Sequence, residues 1–257
     1  MQQKLSPVLF VGHGSPMNAI EENPFTQKWE ELGRELPRPD VILCVSAHWY
    51  TDGSRTTDSE APRMIYDMYG FPEALYRVVY GAPGSPHFAR LTADLVSSEV
   101  KIDNNWGFDH GAWSVLHRMF PDADIPVFQL SVDRRADAQT WFQIGQDLRP
   151  LRKEGVLILG SGNVVHNLAR INWEMAGGYP WAEEFDSYIK ENILAGDFDN
   201  VVHYERAGEF SRLAFYTPDH YAPLLYALGA VEEGDSVSVF NDACMMGSMS
   251  MTGYLFQ

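Results

Sequence analysis

Histidine is the residue type whose positions in this sequence most clearly suggest chemistry. The 257-residue chain contains eight histidines, and three of them, His13, His48 and His166, follow short apolar runs. Imidazole commonly binds zinc and iron at neutral pH, and a three-histidine site leaves coordination positions open for water or substrate. A single histidine after a strand more often has a structural role. Three at one edge of a sheet, however, favour a metal site.

Two further histidines lie close to predicted helical segments, His110 in a loop before a helix and His220 in a candidate helical turn. His110 stands in the sequence WGFDHG, and His220 stands in TPDHY. Thr217 could cap a turn that has Pro218 at its first position, although Pro223 would more naturally begin a longer helix. Either histidine could serve as an acid or base, because the imidazole pKa lies near working pH. For the remaining three we expect structural roles: His87, His117 and His203.

The elements that must position these histidines alternate between strands and helices. Residues 7–12, 41–46, 125–132 and 155–160 are apolar runs rich in β-branched residues, and amphipathic helical patterns lie between them. Residues 236–240 and 248–256 are predicted to add antiparallel strands. We therefore predict an α/β fold: one domain over residues 1–257, with a central, largely parallel mixed sheet that helices cover on both faces. Ligands of open α/β sheets bind at the carboxyl ends of the strands, where His13, His48 and His166 lie.

Composition restricts the partners. The chain has 19 Lys and Arg residues against 35 Asp and Glu residues, a formal net charge of −16. Nucleic acids and anionic membranes both need a basic surface, so neither is expected as a partner. The apolar runs are shorter than the roughly 18 residues that a membrane span needs. The two cysteines, Cys44 and Cys244, form no disulfide framework. A cytoplasmic protein is expected.

Aromatic residues cluster in sequence around the histidines, and they include Trp49, Phe108 and Tyr221. Side chains of this type next to a metal could sandwich a planar ring, so these three are candidate substrate-binding residues. Ordinary core positions are an equally good interpretation of each one alone.

Five separated motifs, in order, resemble the class III extradiol ring-cleavage dioxygenases, and most closely their DOPA 4,5-dioxygenase extradiol family. The motifs are GHGSPM (12–17), SAHW (46–49), GFDHG (107–111), SGNVVHNL (161–168) and TPDHYAPLLY (217–226). The resemblance extends from Val8 to near the carboxyl terminus, so it covers almost the whole chain.

The resemblance implies a non-haem Fe(II) centre that opens a catechol such as L-DOPA with O₂ and gives a semialdehyde. By motif, His13, His48 and His220 match metal ligands. His166 matches the acid/base residue and could also be a fourth ligand, and His110 matches a histidine near substrate and oxygen.

One departure from the usual ferrous site leaves two other functions open. Ferrous oxygenases usually bind iron through two histidines and a carboxylate, whereas this set is all histidine and suits Zn(II) equally well. Zinc has no redox chemistry, so a zinc-loaded protein would be a hydrolase or a non-catalytic metal-binding protein.

Overall fold

The fold is described from a computed structural model, in which residues 5–257 are placed. Twelve strands lie in this part of the chain: β1 (Val8–Gly12), β2 (Val41–Ser46), β3 (Tyr50–Thr51), β4 (Ser54–Thr56), β5 (Val100–Ile102), β6 (Val127–Gln129), β7 (Val132–Asp133), β8 (Val156–Gly162), β9 (Val237–Phe240), β10 (Cys244–Met245), β11 (Met249–Ser250) and β12 (Gly253–Phe256). Nine α-helices accompany them: α1 (Pro24–Glu35), α2 (Glu73–Tyr76), α3 (Pro86–Leu95), α4 (His110–Met119), α5 (Ala138–Asp147), α6 (Pro180–Leu194), α7 (Phe198–Val202), α8 (Glu209–Ala214) and α9 (Ala222–Gly229).

Six of these strands form one mixed sheet in the order β6-β2-β8-β1-β12-β9. The pairs β6–β2, β2–β8 and β8–β1 are parallel, whereas β12 is antiparallel to both β1 and β9. The predicted α/β fold with a largely parallel mixed sheet is therefore confirmed. Because β1, β2 and β8 are neighbours with one direction, their carboxyl ends meet at a single edge.

Alternate residues of β1 show why the sheet needs helices on both faces. Val8 and Phe10 belong to one buried apolar cluster, to which α5, α6 and α9 contribute. Leu9 and Val11 belong to a second cluster, to which α1 and α4 contribute. Side chains of a strand alternate between the two faces, so a strand that is apolar throughout must be covered twice.

Two predicted strands are divided in the structure. Residues 125–132 were predicted as one strand, but only Val127–Gln129 joins the main sheet, and Val132–Asp133 pairs with β3. Residues 248–256 divide into β11, which pairs with β10, and β12, which enters the main sheet. After each break the chain enters a separate two-stranded sheet, β3–β7 or β10–β11. A uniformly apolar run of residues does not show where such a break occurs.

The end of one other element also differs from prediction. Strand β8 continues to Gly162, two residues beyond the predicted end. Pro218 begins a hydrogen-bonded turn, in which its carbonyl oxygen accepts the N–H of Ala222, and the longer helix α9 begins at Ala222 with Pro223 in its first turn, as predicted. Proline fits the first turn because the backbone N–H groups there have no partner inside the helix. Among residues 5–257, no helix is long and apolar enough to cross a membrane.

Candidate metal centre

His13 lies immediately after β1, and its ring is oriented by a chain of two hydrogen bonds. Its Nδ1 lies 3.0 Å from Ser161 Oγ. The Ser161 hydroxyl donates to the carbonyl oxygen of Gly111 at 2.6 Å. Because this uses the one proton of the hydroxyl, Ser161 Oγ must accept from His13 Nδ1–H. The lone pair of His13 therefore lies on Nε2.

His48 follows β2 and faces His13. Its Nδ1 lies 3.1 Å from Asp67 Oδ2, and its Nε2 lies 3.2 Å from His13 Nε2. Two nitrogens that each lie about 2.05 Å from one tetrahedral metal ion are separated by about 3.3 Å. The spacing of these two Nε2 atoms thus suits a shared metal ion.

His220 is brought to the cluster by close contact between two backbone segments. A Cβ atom on Gly162 would lie 2.1 Å from the carbonyl oxygen of His220, so only glycine fits there. The next residue, Asn163, donates its backbone N–H to the same oxygen at 2.9 Å. His220 Nδ1 lies 2.5 Å from Asp219 Oδ2, whereas its Nε2 is buried and has no hydrogen-bond partner among the described residues. An imidazole nitrogen left free in this way can bind a cation.

His110 and His166 complete a group of five imidazoles. His110 is the first residue of α4, and its ring centroid lies 3.8 Å from that of His48. One ligand nitrogen from each of His13, His48 and His110 lies within 4.8 Å of the others. The ring of His166 stacks on that of His220, with centroids 3.5 Å apart and planes 9° apart. The structure therefore brings together all five histidines that the motifs predicted.

Burial controls the charge of most of these rings. It is the main cause that lowers the pKa of His13 and of His220 well below 6.5, and neighbouring histidines add to it. Burial also lowers the pKa of His166 to about 4, although the charge of Asp219 opposes the shift. Neutral imidazole is the form that binds metal or accepts a proton, so these rings have the required form at neutral pH.

His48 is the exception within the group. Burial lowers its pKa, but contact with Asp67 and the negative charge of Asp109 outweigh burial, so the pKa is raised overall. For Asp67, burial opposes ionisation, yet its contacts with His110 and His48 lower its pKa. This carboxylate therefore stays charged beside the two rings.

Asp109 immediately precedes His110 and caps the start of α4. Its Oδ1 accepts the backbone N–H of Ala112 in α4 and the hydroxyl proton of Ser46 at the end of β2. Its Oδ2 accepts from Trp106 Nε1 and Gln129 Nε2. Asp109 thus ties the start of α4 to the strand end that precedes His48.

The three candidate substrate-binding aromatics lie around the cluster at different depths. Trp49 is buried and stacks on Trp106 at 6.4 Å, beside a pocket that includes His48. Phe108 is completely buried and packs edge-on against Tyr80. Tyr221 is also completely buried, and its hydroxyl donates to the carbonyl oxygen of Val201. The structure places Phe108 and Tyr221 within the two apolar clusters, so their contact with substrate stays a prediction.

A cavity of about 430 Å³ opens onto the histidines. His48, His110, His166 and His220 line its inner end, and its outer walls are mainly apolar and aromatic. These walls include Met68, Tyr69, Phe71, Leu168, Trp173 and Met249. Tyr69 and Trp173 are 91% and 67% exposed, which places both at the mouth. The volume and the mainly apolar lining suit a small aromatic molecule beside the histidines.

Sequence reasoning missed Asp67 and most of this wall. Asp67, Met68, Tyr69 and Phe71 share one segment between β4 and α2 that has little regular structure. Apolar periodicity gives no signal for such a segment. None of the five motifs includes Asp67, so nothing in the sequence placed this carboxylate beside the histidines.

Three comparisons with known proteins agree with this geometry. The model of the family described as the catalytic LigB subunit of aromatic ring-opening dioxygenase matches residues 6–257. A protein of Escherichia coli (strain K12) named 4,5-DOPA dioxygenase extradiol is 45% identical, with 98% of this chain and 94% of that protein covered. A protein of Beta vulgaris with the same name is 37% identical, with 99% and 98% covered.

The fold gives the same result. The crystal structure of an Escherichia coli K12 protein matches with a TM-score of 0.86 and 41% identity, covering 99% of this chain and 100% of that one. The resemblance predicted from the five motifs is confirmed. The chain belongs to the family of the catalytic LigB subunit of aromatic ring-opening dioxygenases.

Proposed function

We propose that this protein opens the ring of a catechol such as L-DOPA beside its two hydroxyl groups, with O₂ as co-substrate and a semialdehyde as product. Both oxygen atoms of O₂ enter the product, so no other reductant is consumed. The observation that carries the proposal is the arrangement of His13, His48 and His220. Each has its Nδ1 next to an oxygen acceptor, which leaves Nε2 for a metal ion.

We assign Fe(II) to this centre for activity, held by His13, His48 and His220, with His166 as an additional candidate ligand. Their neutral nitrogen donors fit a divalent transition metal. A bound ferrous ion would supply redox chemistry toward O₂ and a positive charge that lowers the pKa of the catechol hydroxyls.

His166 is the proposed acid/base residue. It lines the cavity, and its low pKa leaves it neutral at pH 7, ready to accept a proton from a catechol hydroxyl. Once protonated, it can return that proton to an oxygen of the opening ring. His110 lies across the cavity and is a second candidate for holding a proton near the reacting oxygens.

The apolar cavity walls orient the ring and exclude water from the reacting atoms. Trp49, Phe108 and Tyr221 are proposed to support this cavity. In sequence, Trp49 directly follows His48 and Tyr221 directly follows His220, whereas Phe108 directly precedes Asp109. The partners required are thus one small catechol and O₂.

Zn(II) in the same site is the second candidate, and a specific observation favours it: the cluster supplies only imidazole ligands from His13, His48, His110, His166 and His220, without a carboxylate ligand. Such a neutral set binds zinc as readily as iron. Zinc would leave the protein without oxygen chemistry, as a hydrolase or a metal-binding protein.

The deciding experiment is anaerobic reconstitution with Fe(II), followed by oxygen uptake with L-DOPA, caffeate and protocatechuate in parallel. We expect oxygen consumption equal to catechol consumed and a yellow product. Zn(II)-loaded protein is the matched control and should consume no oxygen. Confirmed ferrous loading without turnover of any catechol, combined with metal-dependent ester cleavage that is indifferent to oxygen, would favour the zinc hydrolase instead.

A further inference from the structure

We infer that Asp67 is a positioning residue that holds two rings of the metal centre, His48 and His110, in one orientation. Its Oδ2 lies 3.1 Å from His48 Nδ1 and 3.0 Å from His110 Nδ1. Its Oδ1 accepts the backbone N–H of His110 at 2.9 Å. One carboxylate thus contacts residues that come from two different elements, the end of β2 and the start of α4.

Asp67 contacts the two residues differently. Its Oδ2 lies beside Nδ1 of His48 and favours a proton on that nitrogen. His110 is held by its backbone N–H, since its Nδ1 has no aligned hydrogen-bond partner among the described residues. Nε2 of His48 then points toward His13 Nε2, 3.2 Å away. The centroids of the His48 and His110 rings are only 3.8 Å apart, so one carboxylate oxygen lies close to both rings.

Asp67 can do this because its segment is held in place. Ile65 donates its backbone N–H to Phe108, and its carbonyl oxygen accepts from Trp113 Nε1. Phe108 in turn donates its backbone N–H to Arg63. A Cβ atom on Gly107 would lie 2.0 Å from the Arg63 carbonyl oxygen, so the two segments contact closely only with glycine there. The carboxylate is therefore anchored to the same segment that carries His110.

The inference rests on the metal centre proposed above, and its test measures metal binding directly. The dissociation constant for Zn²⁺ is measured by chelator competition for the full-length protein and for Asp67→Asn, which keeps size but removes the charge. Loss of a group that orients a metal-bound histidine typically weakens metal binding by about 10–100-fold. We expect a change in this range, and a shift in the visible absorption of the Co²⁺-loaded protein.

Asp58→Asn is the matched control. The side chains of Asp58 and Asp67 are both 14% exposed, but Asp58 pairs with Arg90 rather than with a histidine. Zn²⁺ affinity and Co²⁺ absorption of Asp58→Asn should equal those of the unchanged protein. Thermal unfolding of each metal-free variant separates a loss of folding from a loss of positioning.

The outcomes are distinguishable. If the unchanged protein binds Zn²⁺ tightly and folded Asp67→Asn binds it equally well, with the same Co²⁺ spectrum, the positioning role of Asp67 is wrong while the metal centre stands. If the unchanged protein itself binds no Zn²⁺, Fe²⁺ or Co²⁺, the proposed centre is wrong, and the inference is wrong with it.

Discussion

The two sides of the histidine cluster hold their imidazole rings in place by different contacts. On one side, Asp67 comes from a distant irregular segment and contacts both His48 and His110. On the other side, Asp219 is the sequence neighbour of His220 and contacts that ring alone, while His166 stacks on it. On the first side, a single carboxylate contacts both rings. On the second side, the carboxylate contacts one ring, and the other ring is held by stacking on it.

The difference appears in the direction of the pKa shifts. On the Asp67 side, the pKa of His48 is raised despite burial. On the Asp219 side, burial dominates and lowers the pKa of His166 to about 4. The carboxylate of the first side stabilises the protonated form of a ring, whereas burial on the second side keeps the ring of His166 neutral at pH 7. We therefore expect the two sides to respond differently to mutation, pH and substrate.

The largest expected effect is that of His166→Gln on turnover. Loss of a positioned acid/base group typically lowers kcat by about 10²–10⁴-fold, and we expect this range for oxygen uptake with L-DOPA. Zn²⁺ affinity, measured in parallel, should change little if His166 acts as an acid/base residue only.

The partly exposed residue His203 provides the control, and His203→Gln should keep full activity. A large loss of Zn²⁺ affinity in His166→Gln would instead identify His166 as a fourth metal ligand. That result would contradict a purely acid/base role for His166.

The second prediction concerns the stability of the metal-free protein between pH 8 and pH 4. Histidine in the unfolded chain has a pKa near 6.5, whereas folded His166 has a pKa of about 4. Above pH 6.5 the ring is neutral in both states. As the pH falls below 6.5 the unfolded state binds the proton first, so the free energy of unfolding decreases by up to about 3 kcal/mol from His166 alone.

His13, His110 and His220 act in the same direction, since burial lowers their pKa values as well. His48 acts in the opposite direction, because its raised pKa adds stability at low pH that is lost as the pH rises through it. Urea unfolding at several pH values in a metal chelator measures the sum. The pH dependence should be weaker in His166→Gln than in the unchanged protein, and an equal dependence would contradict the low pKa of His166.

The smallest expected effect is that of the cavity mouth on substrate binding. Trp173 and Tyr69 lie on the cavity wall, and both are largely exposed. An aromatic contact of this kind contributes about 0.5–1.5 kcal/mol, so Trp173→Ala should raise KM for L-DOPA by roughly two- to ten-fold and leave kcat nearly unchanged.

Tyr69→Ala tests the Asp67 side of the mouth in the same assay. Phe210 is a partly exposed aromatic residue of α8, and Phe210→Ala should leave KM unchanged. Equal KM values for all three variants would show that the mouth makes no contribution to catechol binding.

The parts of this site that sequence analysis predicted are those that depend on regular structure. His13 and His48 directly follow apolar strands, so strand direction alone placed them at one edge. His220 required the close approach of its backbone to Gly162, which appears in sequence only as a glycine in an apolar run. The family resemblance, rather than apolar periodicity, predicted that His220 belongs to the site.

The parts that were missed depend on tertiary contacts. Asp67 lies in a segment without repeating pattern, and its position depends on hydrogen bonds between Ile65 and residues more than forty positions away. The aromatic character of Phe108 and Tyr221 did not reveal whether they face a cavity or the core, since both environments favour the same side chains. Nor does sequence show which ring nitrogen carries a proton, because that depends on partners such as Ser161.

The link between His13 and Ser161 also bears on how the chain matures during synthesis. These residues are 148 positions apart, and the strand before His13 has its main-sheet partners in β8 and β12, both in the second half of the chain. At roughly 5–20 residues per second, a ribosome needs roughly 7–30 s to make the intervening segment. During that time the apolar strand β1 remains in the nascent chain without its partner strands β8 and β12. Conditions that slow translation should prolong its exposure to aggregation and to chaperones, well before the chain can bind a metal ion.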